Sequence, residues 1–239
     1  MTDPRTPFFD GLRGALGRSL TGNDVAAGHD LLDRLHAPRE AAAPVLGLTA
    51  ADFQAVATRL GCTVAQVRAV DEVESAGSGF LPGDPPLVKI LFEAHIFDRE
   101  TGGRFRAAHP SLSSPTWNRA LYAGGRAEWP RLERAMQLDR EAALRSASAG
   151  RYQIMGFNFR AAGFASVDAF WTAMKASERA HLDAFAAFIE NSKLVAALRQ
   201  ISNVHGDCIA FAKGYNGSGY ATNSYHVKIA RAHKKWSEA

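Results

Sequence analysis

The sequence predicts a mostly α-helical protein with one small irregular or β segment and a short helical appendage at its N-terminus. Three observations carry this. Alanine recurs along the chain while runs of β-branched residues are few, a composition that favours helix. Thr49-Ala-Ala-Asp52 and Thr63-Val-Ala-Gln66 have the spacing of N-terminal capping boxes or a close variant. A Gly/Pro-rich region between Ser75 and Thr116 holds the compact apolar run Leu87-Val-Lys-Ile-Leu-Phe92. That run is a strand or a buried helix turn, and periodicity leaves both open.

The elements follow in order. Phe8, Phe9, Leu12 and Leu16 form one apolar stripe at helical spacing, and Leu31, Leu32 and Leu35 a second, with turn and capping chemistry in Thr21-Gly-Asn-Asp24 between them. Two short helices bury little by themselves, so this unit is expected to dock on the rest. Ala37 to Pro44 reads as a linker. Helices are then expected after Thr49 and Thr63, and over Glu128–Gln137, Asp139–Ser146, Ser177–Glu190, Lys193–Gln200, Cys208–Lys213 and Ser224–Lys235. No internal repeat is visible.

The chain has 239 residues, 46% hydrophobic and 22% charged, which is enough for one sizeable core and lies outside the disordered range. A formal charge of +4 favours approach to anionic polymers without choosing among nucleic acid, lipid and cell wall. No segment approaches the roughly 20 apolar residues of a membrane span, and no basic start followed by an apolar run marks an export signal. Cys62 and Cys208 read as small buried residues; sequence does not show the proximity a disulfide needs.

The helix opening at Thr63 carries the most chemistry. Val64, Val67 and Val70 share a face, and Glu74 continues that apolar stripe into the last turn, before the helix-ending stretch Ser75-Ala-Gly-Ser-Gly79. Burial and the negative end of the helix dipole both disfavour its ionised form. A carboxylic acid kept protonated near neutral pH suits cleavage of a glycosidic bond, whose leaving oxygen must receive a proton. The competing reading is a solvated helix-end glutamate, and position alone favours it. Asp71 and Glu72 read as surface groups.

Two further stretches weigh against that alternative. Ser146-Ala-Ser-Ala-Gly-Arg-Tyr-Gln-Ile-Met-Gly156 breaks a helix with small residues and presents Gln153, whose amide can bond sugar hydroxyls or N-acetyl groups, beside Ile154 and Met155. Gly214-Tyr-Asn-Gly-Ser-Gly-Tyr220 is a tight turn flanked by tyrosines, followed by Asn223 and Tyr225, a composition suited to a saccharide groove. Each alone is equally a packed corner or an ordinary turn.

Glu-Ser, then Ser-x-Gly-x-x-Gln-Ile-Met-Gly, then Tyr-Asn-Gly, in that order, resemble the N-acetylmuramidase domain of phage endolysins, related in design to goose-type lysozymes and soluble lytic transglycosylases. The resemblance runs from about Leu48 to Trp236. It includes Val73-Glu-Ser-x-Gly-x-Gly-Phe80, Ile90-Leu-Phe-Glu-Ala-His-Ile-Phe97 and Ser148-x-Gly-x-x-Gln-Ile-Met-Gly-x-Asn158. It implies a lysozyme-like helical catalytic domain over 45–239, behind an N-terminal helical segment and linker over 1–44. It also implies cleavage of the β-1,4 bond after N-acetylmuramic acid in peptidoglycan glycan strands. Glu74 is then the catalytic acid, and Ser75, Phe80, His95, Ser148, Gln153, Ile154, Met155, Asn158, Tyr215, Asn216 and Tyr220 line the groove. Pro82-Gly-Asp-Pro-Pro86, Ala149 and Arg151-Tyr152 depart from the family pattern beside the groove, which puts substrate preference in doubt more than chemistry.

A hydrolase of this kind needs a second group about 5–9.5 Å from the acid, and Glu93 is favoured over Asp98 for it. The competing reading pairs Glu93 with His95, Arg104 or a backbone amide. A lytic transglycosylase needs no base for water, and a wall-binding module without chemistry is a further alternative; the resemblance favours the hydrolase. No metal or cofactor is expected, since the eight histidines show no His-x-x-x-His or His/Cys cluster. The expected partner is peptidoglycan alone, with no nucleic acid and no membrane insertion, for a monomer made in the host cytoplasm and acting on the wall or periplasm after release.

Overall fold

The computed structural model describes residues 6–36, 43–75 and 77–239, without the side chains of 30 and 32–36. These fall into two compact units, one before and one after residue 42. The first is a helical pair, α1 (Thr6–Leu16) and α2 (Gly22–His36). Thr21 and Asp24 cap its second helix reciprocally: the Thr21 hydroxyl accepts the Asp24 N–H, and the Asp24 carboxylate accepts the Thr21 N–H at 2.8 Å. Phe9 is buried, against Phe8 and His29, whereas Leu16 and Leu31 are exposed. The side chains of Leu32 and Leu35, and most of the expected linker (37–42), lie outside the described residues.

The second unit is mostly helical, around two small antiparallel sheets. It opens with α3 (Ala50–Leu60) and α4 (Val64–Glu74), each entered through the expected capping box, at Thr49/Asp52 and Thr63/Gln66. The Leu87–Phe92 run is extended, and Lys89 divides it into two strands. β1 (Phe80–Leu81) pairs with β2 (Leu87–Val88), and β3 (Ile90–Phe92) pairs with β4 (Ala147–Ala149), which also pairs with β5 (Ile154–Met155). All three residues of β4 are buried, which is why a central strand is built from Ala, Ser and Ala.

Between β3 and β4 lie α5 (Ala94–Glu100), α6 (Glu128–Leu138) and α7 (Arg140–Arg145). Glu128 is fully buried and satisfied by four donors: Arg131 at 2.6 Å and the N–H groups of Phe92, Ala123 and Gly124. This network fixes the end of β3 to α6. After β5 come α8 (Val167–Ala176), α9 (Glu178–Asn191), α10 (Val195–Arg199), α11 (Ile209–Asn216) and α12 (Tyr225–Ser237). Neither α5 nor α8 was expected from sequence. Phe92, Phe97, Phe170, Phe185 and Phe211 are fully buried at the centre of the core. Cys62 and Cys208 are free thiols, half-buried and buried. No helix among the described residues is long and apolar enough to cross a membrane.

Candidate active site

Val67 and Val70 are fully buried, so the stripe on α4 does face the core, and Glu74 follows it to the rim, where it is half-buried. Ser75 ends the helix by turning extended while its N–H still donates to the Asp71 carbonyl at 2.9 Å. Asn216, the last residue of α11, donates its amide to Glu74 Oε1 at 2.9 Å. α12 packs along α4 and brings Tyr225 and Lys228 to the same carboxyl. Burial raises the pKa of Glu74; the Asn216 hydrogen bond and the Lys228 charge oppose this without cancelling it. Burial, reinforced by the Glu74 charge, also raises Tyr215 and Tyr225, so both phenols stay protonated. The Tyr215 ring is half-buried and packs against the core, stacked on Phe211 and edge-on to Phe185 and Phe188.

The Gln153 stretch forms the β4–β5 hairpin. Gln153 itself has φ 47°, a left-handed conformation unusual for a residue with a side chain. Its amide holds that turn: Nε2 donates to the carbonyls of Gly150 at 2.8 Å and Lys89 at 3.2 Å, while Oε1 accepts the Ser148 hydroxyl at 3.0 Å. Both amide donors expected to bond sugars are therefore engaged inside the protein. Ile154, Phe80 and Ser75 are buried, with Phe80 stacked on His181, so these three side chains belong to the packing rather than to an open surface. Met155, Asn158 and Tyr220 are half-buried, the last edge-on to His226.

Asp71 corrects the sequence reading. It is buried, and it accepts Arg151 Nε at 2.6 Å, Arg151 Nη2 at 2.7 Å and the Tyr152 hydroxyl at 2.7 Å. Arg151 also donates to the Gly77 carbonyl at 2.8 Å. The residues that depart from the family pattern thus clamp the hairpin to α4 and to the loop after Glu74. That loop has a second anchor: buried Glu178 accepts the N–H groups of Gly79 and Gly47 and the Ser78 hydroxyl. Burial alone would raise Glu178, but these bonds and the Arg151 charge outweigh it and lower its pKa. His181 accepts the Arg151 N–H at Nδ1 and so carries its proton on Nε2, 2.7 Å from the Met174 carbonyl. Glu72 is exposed, as expected.

Glu93 belongs to a separate network. Its Oε2 accepts the Tyr122 hydroxyl at 2.6 Å and lies 3.3 Å from His95 Nδ1; Tyr122 in turn accepts Trp117 Nε1–H at 2.7 Å. Burial, with the Glu93 carboxylate, pushes Tyr122 up to about 12. Among the described residues no hydrogen bond or ion pair joins Glu93 to Glu74. Arg104 pairs with Asp139, and Asp98 is buried on Arg106 and Ser113. Sequence reasoning missed Lys228, because a lone lysine carries no spacing signal.

The N-acetylmuramidase family model matches residues 63–237. The crystal structure of the Burkholderia AP3 phage endolysin is 41% identical, with a TM-score of 0.72, over 89% of this chain and 79% of that one. A comparison with curated proteins gives no match. The chain belongs to the N-acetylmuramidase family, whose members degrade peptidoglycan.

Proposed function

We propose that this chain is an endolysin that hydrolyses the β-1,4 bond between N-acetylmuramic acid and N-acetylglucosamine, with Glu74 as general acid and 45–239 as the catalytic domain. The observation that carries this reading is the half-buried Glu74 carboxyl, raised in pKa and bonded to Asn216. The protonated acid gives its proton to the glycosidic oxygen as the bond breaks, its own charge then stabilises the cationic sugar ring, and water adds to the anomeric carbon and gives up the proton that restores the acid. Tyr215 and Tyr225, both protonated, lie within electrostatic reach of the carboxyl. Gln153 serves the cleft by holding the hairpin, and Met155, Asn158 and Tyr220 are the half-buried side chains left to meet sugars.

Glu93 acts as a positioning residue in this reading, since Tyr122 and His95 already engage its carboxylate. The same observation favours a second reading, a lytic transglycosylase, in which the muramic 6-hydroxyl attacks and no base for water is needed. Mass analysis of digested peptidoglycan distinguishes them: reducing muramic ends support hydrolysis and anhydro-muramic ends transglycosylation. Glu74→Gln is expected to lower the release of either by about 10²–10⁴-fold. Undiminished release would overturn the assignment.

A further inference from the structure

Beside Glu74, α4 and α12 enclose an open groove of about 500 Å³, lined by Glu72, Val73, Lys228, Arg231, Ala232 and Lys235. That lies within the roughly 300–1,000 Å³ of ligand clefts. Lys228, Arg231 and Lys235 are three and four residues apart, so they share one face of α12. All three are exposed. Their pairing differs. Lys235 is paired with Glu72 at 2.8 Å, and Glu72 also accepts Trp236 Nε1–H at 2.9 Å. Lys228 and Arg231 have no ion-pair partner among the described residues; Lys228 lies over the Tyr225 ring, 5.3 Å from its centroid. Lys228 links the groove to the acid: it lines the groove, and its charge acts on the Glu74 carboxyl.

We infer that this groove binds the peptide stem carried by the muramic acid, with Lys228 and Arg231 recognising its free carboxylates. The inference rests on the proposed peptidoglycan reading. In that polymer each muramic lactyl group carries a short peptide with free carboxylates. A sugar held at Glu74 has its stem within reach of a neighbouring cationic trough, while a stripped glycan offers only the single lactyl carboxylate that removal of the peptide exposes. Guanidinium and ammonium groups facing carboxylates form charge-assisted hydrogen bonds stronger than neutral ones. The groove would therefore make the enzyme prefer peptide-bearing strands.

The test titrates Glu74→Gln protein, which leaves the ligand uncut, with a muramic-containing tetrasaccharide bearing its stem peptides and with the same tetrasaccharide stripped by an amidase. The peptide-bearing form is expected to bind about fivefold more tightly. Arg231→Glu in the same background is expected to abolish that ratio, and Arg231→Lys to keep most of it, since exposed pairs are each worth up to about fivefold. Matching thermal unfolding of the variants establishes folding. Equal affinity for the two ligands, no binding of either, or Arg231→Glu weakening both alike would overturn the inference. So would an Arg231→Glu effect confined to anionic lipid vesicles. Release of muramic ends by the unmutated protein is measured separately, so a failed groove and a failed enzyme assignment give different results.

Discussion

Asn216 and Glu74 are 142 residues apart in sequence and 2.9 Å apart in the fold, amide to carboxylate. The contact joins the end of α11 to the end of α4 at the proposed acid. Because Asn216 donates, it favours the charged form and holds the pKa of Glu74 below where burial alone would place it. A general acid works while protonated, so activity is present below its folded pKa and lost as pH rises through it. Asn216→Ala is expected to move the alkaline limb of the pH–rate profile upward and to reduce the maximal rate about tenfold through loss of positioning. Lys228→Gln is expected to move the limb the same way. A downward shift in either variant would contradict the placement of these groups, and pH profiles of wall lysis supply the measurement.

Burial of the acid has a cost in stability with a definite sign. The folded pKa of Glu74 lies above its unfolded value, so the penalty is full above the folded value and declines to nothing as pH falls from the folded value to the unfolded one. Glu74→Gln is therefore expected to melt at the same or a higher temperature than the unmutated protein at pH 8 while losing activity. Calorimetry at pH 8 and pH 4.5 checks this, the difference shrinking at the lower pH.

The Asp71 carboxylate is expected to be among the costliest to remove. Asp71→Ala leaves Arg151 and the Tyr152 hydroxyl without their partner in a buried setting, a loss of about 3–5 kcal/mol. Urea unfolding measures it. Replacing an exposed carboxylate one residue on, Glu72→Ala, is expected to cost under about 1 kcal/mol.

Acid sensitivity should arise partly at His181. Burial lowers its pKa from the ordinary value near 6.5, although the Met174 carbonyl and Glu178 act the other way. The unfolded chain therefore binds a proton first as pH falls, and stability is lost from about 6.5 downward until the folded pKa is passed. His181→Asn is expected to lower stability at pH 7.5 and to flatten the dependence between pH 7 and 5 in urea titrations.

How much of this was legible beforehand depends on how local the cause is. The capping boxes at Thr49 and Thr63 are read within four residues, and both form. The Val67–Val70–Glu74 face follows from helical spacing and also holds. α5 hides in a Gly/Pro-rich region, where seven residues give too few turns for a periodicity. Asp71 looks solvated because its partners lie 80 and 81 residues downstream. Gln153 announces itself as polar and special, but not whether its amide faces sugar or its own backbone. That distinction needs the register Ser148↔Met155, which no single strand of two or three residues encodes.

The clamp from Arg151 to Asp71 and the Gly77 carbonyl has a consequence for turnover. It grips α4 one turn before the acid and the loop just after it, from the hairpin that carries Gln153. The carboxyl and the hairpin are accordingly held as one unit, while Asn216 fixes the same carboxyl from the end of α11. The freedom that would otherwise be lost each time a glycan strand is seated has been removed once, during folding.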